Sequence, residues 1–481
     1  MTNINKIKIA LLGATALFAS TSAHAQVADT WSIDGTNTPT TVTSGNIGNV
    51  TMNSSDAADG TVGASIVEGQ KNSVSATAIG ASASSSFTVT SATDSSLTGN
   101  ILAADGANGV IASSFNGGNV SNWGDISGAA IGADGAGNSI SRVALGASAS
   151  NSASVFVVDG EQASTYTVPS STVSASNSLA MEALTPDTDG IMTVSNGVNI
   201  TDADVGGNNN SISAAAIGAS ASVGASTTIL AGSETGVFNL GVAIDPTAPD
   251  TAAGAGVISV ASLNQANVGV GNSSNDFADL SDPTAIEPAE LSANIQDGAN
   301  ASSVSSSAIG SSASVSYAAN VFGGDVTNTA LIGAFDDGTG VITPGDGVTI
   351  LSANGLAGDT TADFSNDVTG LAALDTPTTL INATDITAAS IGADSSNNSI
   401  SVAGIGASAS MSFAVNDYSG GDSAISNVLY AAAPTITALN GSAVYVGSTI
   451  TGAEIAGGLQ NSVSAAAIGA SASQSFSLFT K

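Results

Sequence analysis

Residues 72–87 read "NSVSATAIGASASSSF", and apolar and polar side chains alternate along them with a period of two. Val74, Ala76 and Ala78 share one face, while Ser73, Ser75 and Thr77 share the other. At Ile79-Gly80 the phase flips, so that Ile79, Ala81, Ala83 and Phe87 become the apolar set. Alternation of this period predicts a strand, and a phase slip at a glycine predicts a bulge or bend. Alanine alone would favour helix, but the central glycine, the repeated serines and the β-branched positions all cost helix stability.

The same stretch recurs five more times, beginning at positions 138, 210, 302, 398 and 461. Anchored on the glycine, the copies fall at Gly80, Gly146, Gly218, Gly310, Gly406 and Gly469, with separations of 66, 72, 92, 96 and 63 residues. Ser-Val/Ile-Ser precedes the anchor in every copy, and Asn72, Asn138, Asn210, Asn398 and Asn461 open five of them, with Ser302 in the fourth. Phe87, Tyr317, Phe413 and Phe476 close four. Upstream, segments such as "ITDADVGGNNNS" and "ITAASIGADSSNNS" place β-branched residues ahead of a Gly/Asn/Asp cluster. Such clusters supply positive φ and side-chain-to-backbone hydrogen bonds for a tight turn.

Each unit therefore reads as strand, turn, strand over roughly 30 residues. The expected fold is all-β: a repeat protein of six such units, as a β-solenoid or a cross-β stack, with variable and partly disordered linkers. The unequal separations point to a fixed unit joined by linkers of free length. The expected boundaries are a signal peptide at 1–25, an N-terminal segment at 26–60, and repeats at 61–89, 125–156, 200–226, 291–318, 386–415 and 450–481. Linkers fill 90–124, 157–199, 227–290, 319–385 and 416–449.

Composition changes the picture from fold to setting. "MTNINKIKIALLGATALFASTSAHAQ" carries Lys6 and Lys8, an apolar run from Ile9 to Ala19, and Ala23-His24-Ala25 before Gln26. That is the layout of a secretory signal peptide cleaved after Ala25. The mature chain then keeps Lys71, Arg142 and Lys481 against 38 acids, a formal charge of −35. It would repel the phosphates of nucleic acid or of an anionic membrane. Cysteine is absent, which removes disulfides, thiol chemistry and Cys/His metal sites. No later stretch reaches the roughly 18 uncharged apolar residues of a membrane helix, so no transmembrane segment is expected in the mature chain.

Within the six sixteen-residue windows there is no proline, and the one charged residue is Arg142. Strand tendency without charge or proline is the signature of a segment that stacks on copies of itself. The acids lie in the linkers and first arms, where they keep an exported chain soluble. The chemistry of the repeat thus predicts a secreted structural protein whose main partner is itself, assembling into an extracellular fibre or surface matrix that supports adhesion or biofilm. The alternative is a monomeric β-solenoid adhesin or stalk that binds carbohydrate or another surface ligand.

Imperfect strand-turn-strand repeats in an exported Gly/Ala/Ser/Asn-rich chain resemble the secreted functional amyloid subunits of Gram-negative bacteria, of the curlin-like or linker-separated kind. "SGNIGNV", Ser44 to Val50, also looks like a piece found beside such repeats. The resemblance implies a location outside the cell or on the surface of a Gram-negative-type bacterium, with an outer-membrane export or nucleator protein as a further partner. Two features depart from it: glutamine is sparse, and the cysteine pair of the linker-separated type is missing.

Other chemistries fare less well. Without histidine or cysteine in the mature chain, and with no pair of acids standing out by placement, no enzyme, catalytic residue or cofactor site is expected. "PDTDG" at 186–190 and "DDGTG" at 336–340 start like calcium loops, but Val198 stands where a calcium loop counted from Asp187 would place Glu, so acidic turns are the reading and no metal ligand is assigned. The threonines of "TPTTVT" at 38–43 and "TVT" at 88–90 do not recur in a fixed column, which argues against an ice-ordering face. The C-terminal "SASQSFSLFTK" reads as the last strand of unit six, with an export recognition tail as the alternative.

Overall fold

A computed structural model describes residues 40–52, 62–63, 66–91, 110–157, 164–168, 171–178, 192–230, 236–240, 243–244, 258–272, 286–322, 329–332, 334–336, 342–344, 348–357, 372–373, 378–418, 428–430 and 434–480. The signal peptide expected at 1–25 and the acidic turn at 186–190 lie outside these residues. The described chain is all-β and forms a parallel β-solenoid of six rungs.

The six repeat motifs become six strands of nineteen residues: Ser73–Ser91, Ser139–Val157, Ser211–Ile229, Ser303–Val321, Ser399–Asp417 and Ser462–Thr480. They pair parallel, each rung on the next, in strict column register. Ser139 faces Ser73 and Ser211, and Leu145 faces Ile79 and Ile217. The glycine column is the one place where the pairing is interrupted. These strands form the long sheet.

Three shorter sheets complete each rung. The first comprises Thr40–Asn46, Val110–Asn116, Ser171–Asn177, Ile258–Asn264, Val348–Asn354 and Thr435–Asn440. The second runs from Val50–Met52 through Val120–Trp123, Thr193–Gly197, Asn267–Gly271 and Thr379–Asn382 to Ala443–Val446. The third holds the upstream arm of each unit, as in Ile200–Val205 and Ala289–Ile295. Much of what the sequence presents as linker therefore belongs to the rungs: the first and second sheets are drawn from it. A smaller parallel sheet, Ser164–Val168 to Val428–Tyr430, follows the long strands of rungs two to five.

The stacking takes place within one chain, which decides between the two forms of the expected fold in favour of a solenoid. Loop length does not disturb it, because register is set by the strands. Loop-closure entropy grows only slowly with length, so rungs of unequal residue count cost little.

The core has two halves. Ala147, Ala149, Ala219, Ala221 and Val223 of the long strands pack against Ala112, Val173, Val260 and Ile350 of the first sheet. Ile140, Ala144, Ile212 and Ala216 pack against Val120, Val194 and Val268 of the second sheet and Ile126, Ile200 and Leu291 of the third. Alanines bury little area each, so tight backbone approach and hydrogen bonds carry a larger share of the stability than in a leucine-rich core.

One expectation is corrected. The phase does flip at the anchor, but Ile79 is not in the inward set: it is 40% exposed, and Ile468 in rung six is 39% exposed. The inward place is taken by the glycine, with Gly146 and Ala147 both buried one after the other. The reason is close approach on two sides: a Cβ at Gly146 would run into the carbonyl oxygen of Gly218 in the next rung and would stand 2.7 Å from Cγ of Asn177 across the core. No side chain fits, so the isoleucine column is displaced to the outer surface.

Candidate functional site

Asparagines cross all six rungs. At the end of each first-sheet strand, an amide Nδ2 donates to the Oδ1 of the next rung. The distances are 2.7 Å from Asn46 to Asn116, 2.8 Å to Asn177, 2.7 Å to Asn264, 2.8 Å to Asn354 and 2.8 Å to Asn440. Amide chains of this kind stabilise stacked strands because every buried polar group finds a partner in the rung beside it. The ladder has a direction: donors point from rung one toward rung six. At the far end Asn440 turns its Nδ2 to Ser442 O within its own corner, at 2.8 Å.

The opening asparagines of the repeat form a second ladder with different chemistry. The backbone N–H of Asn72 donates to Asn138 Oδ1, and that of Asn138 to Asn210 Oδ1, both at 2.8 Å. Ser302 substitutes in the fourth rung, accepting from Asn210 N at 3.3 Å and donating its own N–H to Asn398 Oδ1 at 2.8 Å. The freed amide Nδ2 groups hold the preceding turn, as Asn210 does through Gly206 O at 2.6 Å. That turn closes on a left-handed residue in each rung: Lys71, Gly137, Asn209, Ala301, Asn397 and Gln460, with φ between 52° and 67°.

A third set pins the second sheet to the long sheet. Asn122, Asn196 and Asn382 each donate to two long-strand carbonyls, as Asn196 does to Arg142 O at 2.9 Å and Ala215 O at 3.0 Å. Arg142, which the sequence marks as the lone charge of the repeats, points inward and is buried. Its guanidinium donates to Asn122 Oδ1 at 3.0 Å and Trp123 O at 2.6 Å. Burial pushes its pKa below the ordinary value, against a smaller opposing pull from Asp125.

The terminal rungs differ from the interior ones. Rung six leaves Phe476 at 50% and Leu459 at 74% exposed, and Tyr445, Ile450, Ile455 and Phe479 are exposed beside them. Rung one exposes Ile47, Ile66 and Ile79. The aromatic column Tyr317, Phe413, Phe476 stacks at 4.9 and 6.2 Å and stops at the open end, although rung one carries Phe87 in that same register column.

Carboxylates gather on the third sheet, where a shallow groove of about 290 Å³ is lined by Asp202, Asp204, Ser292, Asn294, Ser390 and Glu454. Asp204 accepts from Asn294 Nδ2 at 2.8 Å and Gln296 Nε2 at 2.7 Å, so its charge is engaged within the sheet. Among the described residues no three or more His, Cys, Asp or Glu side chains are placed to hold a metal ion. Asp336 ends a short strand, Ala334–Asp336, and Asp337 lies outside the described residues.

These features define, among the described residues, a six-rung parallel β-solenoid whose four main sheets each begin at rung one and finish at rung six with a strand paired to a single neighbouring strand. No family model, curated protein or solved structure matches the chain. Its class therefore rests on strand register and hydrogen bonding.

Sequence reasoning anticipated the opening asparagines and missed the first-sheet ladder. The signal was present: "TVTSGN", "VIASSFN", "TVSASN", "SVASLN", "TILSAN" and "TITALN" each end an apolar alternation on asparagine. It was masked by separations of 70, 61, 87, 90 and 86 residues.

Proposed function

We propose that the protein is a secreted structural subunit whose copies join end to end into an extracellular fibre or surface matrix that supports adhesion or biofilm. One observation carries this reading: rung six presents to solvent the same columns that rungs two to five bury against a neighbour. Its strand Ser462–Thr480 contains no charge and no proline. Natural sheets blunt their edges with charge, proline or a covering element. An unblunted edge with its own template repeated five times in the same chain is suited to receive a further rung. The secretory layout of residues 1–25 and the resemblance to secreted functional amyloid subunits supply the extracellular setting. An outer-membrane exporter or nucleator is the further partner consistent with it.

The test is assembly of the chain from Gln26 to Lys481 alongside an Ala467→Lys variant, which places a cation on the open edge of rung six. The wild type should nucleate and elongate with rising concentration, and the variant should fold but cease to extend. Equal elongation by both would remove the edge from the account. The second reading, a solenoid stalk or adhesin binding carbohydrate or another surface ligand, draws on the complete core that rungs two to five already possess. It predicts a β-rich monomer at every concentration.

A further inference from the structure

The outer face of the long sheet is unlike the other three. Four of its outward columns are serine in every rung: those of Ser73, Ser75, Ser82 and Ser84. Between them runs an apolar column of Ile79, Leu145, Ile217, Ile309, Ile405 and Ile468 along the whole stack. On one side this column is bordered by a mixed column of Thr77, Val143, Ala215, Ser307, Ala403 and Ala466. On the other it is bordered by a bare strip, because the glycine and the residue after it both turn inward, as Gly218 and Ala219 do. The face is thus an isoleucine ridge beside a channel of backbone.

Charge distinguishes it further. The chain carries a formal −33, and the third sheet displays Asp202, Asp204, Glu290, Asp385 and Glu454. The first and second sheets are neutral, and in rung four their strands are buried on both faces, at Ile258–Asn264 and Asn267–Gly271, while in rung three Thr172 of the first sheet is exposed. Among the described residues, the outward columns of the long sheet from Ser73 to Ser86 carry no charge in any rung and stay open in the interior rungs, the acid of these strands, Asp417, lying at the far end of rung five. Two copies of so acidic a chain repel one another where their third sheets would meet.

We infer that this face is a lateral docking surface for a second copy of the same chain. A two-fold axis parallel to the solenoid axis, set between ridge and channel, seats each copy's isoleucine ridge in its partner's channel. Such an isologous contact needs one self-complementary patch, and a ridge next to a channel is one. Six strands of about fourteen outward-and-inward residues cover roughly 29 Å by 46 Å, or about 1,300 Å² per copy. That exceeds the about 800 Å² per partner of a standard stable interface. The pairing does not depend on end-to-end joining: it closes as a dimer when the ends are free and doubles a fibre when they are joined.

The experiment compares sedimentation of the mature wild-type chain, below the concentration at which any filament forms, with that of Ile217→Glu/Ile405→Glu, which keeps the two new charges two rungs apart. These residues face outward, so the variant's thermal melting should match the wild type. The expected result is a wild type at twice the chain mass and a variant at once the chain mass. A dimer that survives in the variant assigns the contact to the rung ends and overturns the inference, as does a wild type that is monomeric throughout. Because the chain lacks cysteine, a second reading is clean: Ser220→Cys should be cross-linked between copies by a short bismaleimide and Asn294→Cys, on the third sheet, should not. Equal yields at the two positions would also overturn it. If filaments are absent while the dimer is present, the lateral pairing stands and the fibre reading falls. Filaments of undiminished mass per length in the double variant would mean the reverse.

Discussion

Rung three and rung six carry nearly the same strand, "SISAAAIGASAS" and "SVSAAAIGASAS", yet they differ in state. Ile212 and Ala216 in rung three are fully buried, while Val463 is half-buried and Ala467 exposed in rung six. Identical chemistry is core in one place and surface in the other. Burial here belongs to position in the stack, and one more rung would complete what rung six lacks. A globular domain hides its apolar set by closing on itself, whereas this chain hides it by adding layers.

The largest expected difference between interior and end lies in the aromatic column. Phe413 is 3% exposed and packed between Tyr317 and Phe476, so Phe413→Ala should cost about 3–5 kcal/mol. Phe476→Ala, at the half-exposed end, should cost well under half of that. Urea unfolding of the two variants measures the gap, and equal losses would mean that rung six is as enclosed as rung five.

Next comes the amide ladder. Asn264 donates to Asn354 Oδ1 and Ala266 O and accepts from Asn177. Removing its side chain strands buried partners on both sides, at about 2–4 kcal/mol for Asn264→Ala, since each unsatisfied buried group costs about 1–3. Asn440→Ala at the ladder's end should cost about 1 kcal/mol, because it severs one rung-to-rung bond.

The glycine column sharpens the contrast. A Cβ on Gly218 would run into the Asn264 amide and the Gly310 carbonyl, while one on Gly469 would have its nearest neighbour, Asn440 Nδ2, 3.8 Å away. Gly218→Ala should therefore destabilise by about 1–3 kcal/mol, the usual range for overpacking. Gly469→Ala should fall within about 0.5 kcal/mol of wild type. Matched thermal melts of the pair decide it.

The smallest effect concerns charge. As pH falls from 8 toward about 4, carboxylates lose charge and repulsion between copies weakens, so assembly in low salt should speed up severalfold. Light scattering at the two pH values reads the rate, and equal rates would remove charge as the brake.

Much of this organisation was legible in the sequence, and the reasons are physical. Period-two alternation from Ser73 to Ala83 and a glycine slip are local signals, and they located the long strands and the point where their pairing is interrupted. The turn clusters were legible for the same reason, since left-handed positions such as Asn209 and Asn397 draw on few residue types. The side taken by Ile79 was not legible, because it is decided by Asn116 and the Gly146 carbonyl, and by their counterparts in other rungs, far away in the chain. The first and second sheets were read as linker because their strands are short, irregularly spaced and rich in serine and threonine. Their pairing is defined only by the neighbouring rung. Arg142 stood out as a charge among neutral residues, but its partners, Asn122 and Trp123, could be named only once the second sheet was seen to lie against it.

The most direct test of the account is electron microscopy of the mature chain, Gln26 to Lys481, incubated at rising concentration, with the axial repeat measured on any filament. Six rungs at about 4.8 Å each predict one copy for every 29 Å or so of filament axis, with strands perpendicular to it. Particles that remain single at every concentration, or filaments whose repeat bears no relation to six strand spacings, would contradict the claim that the open rungs are made to receive one another.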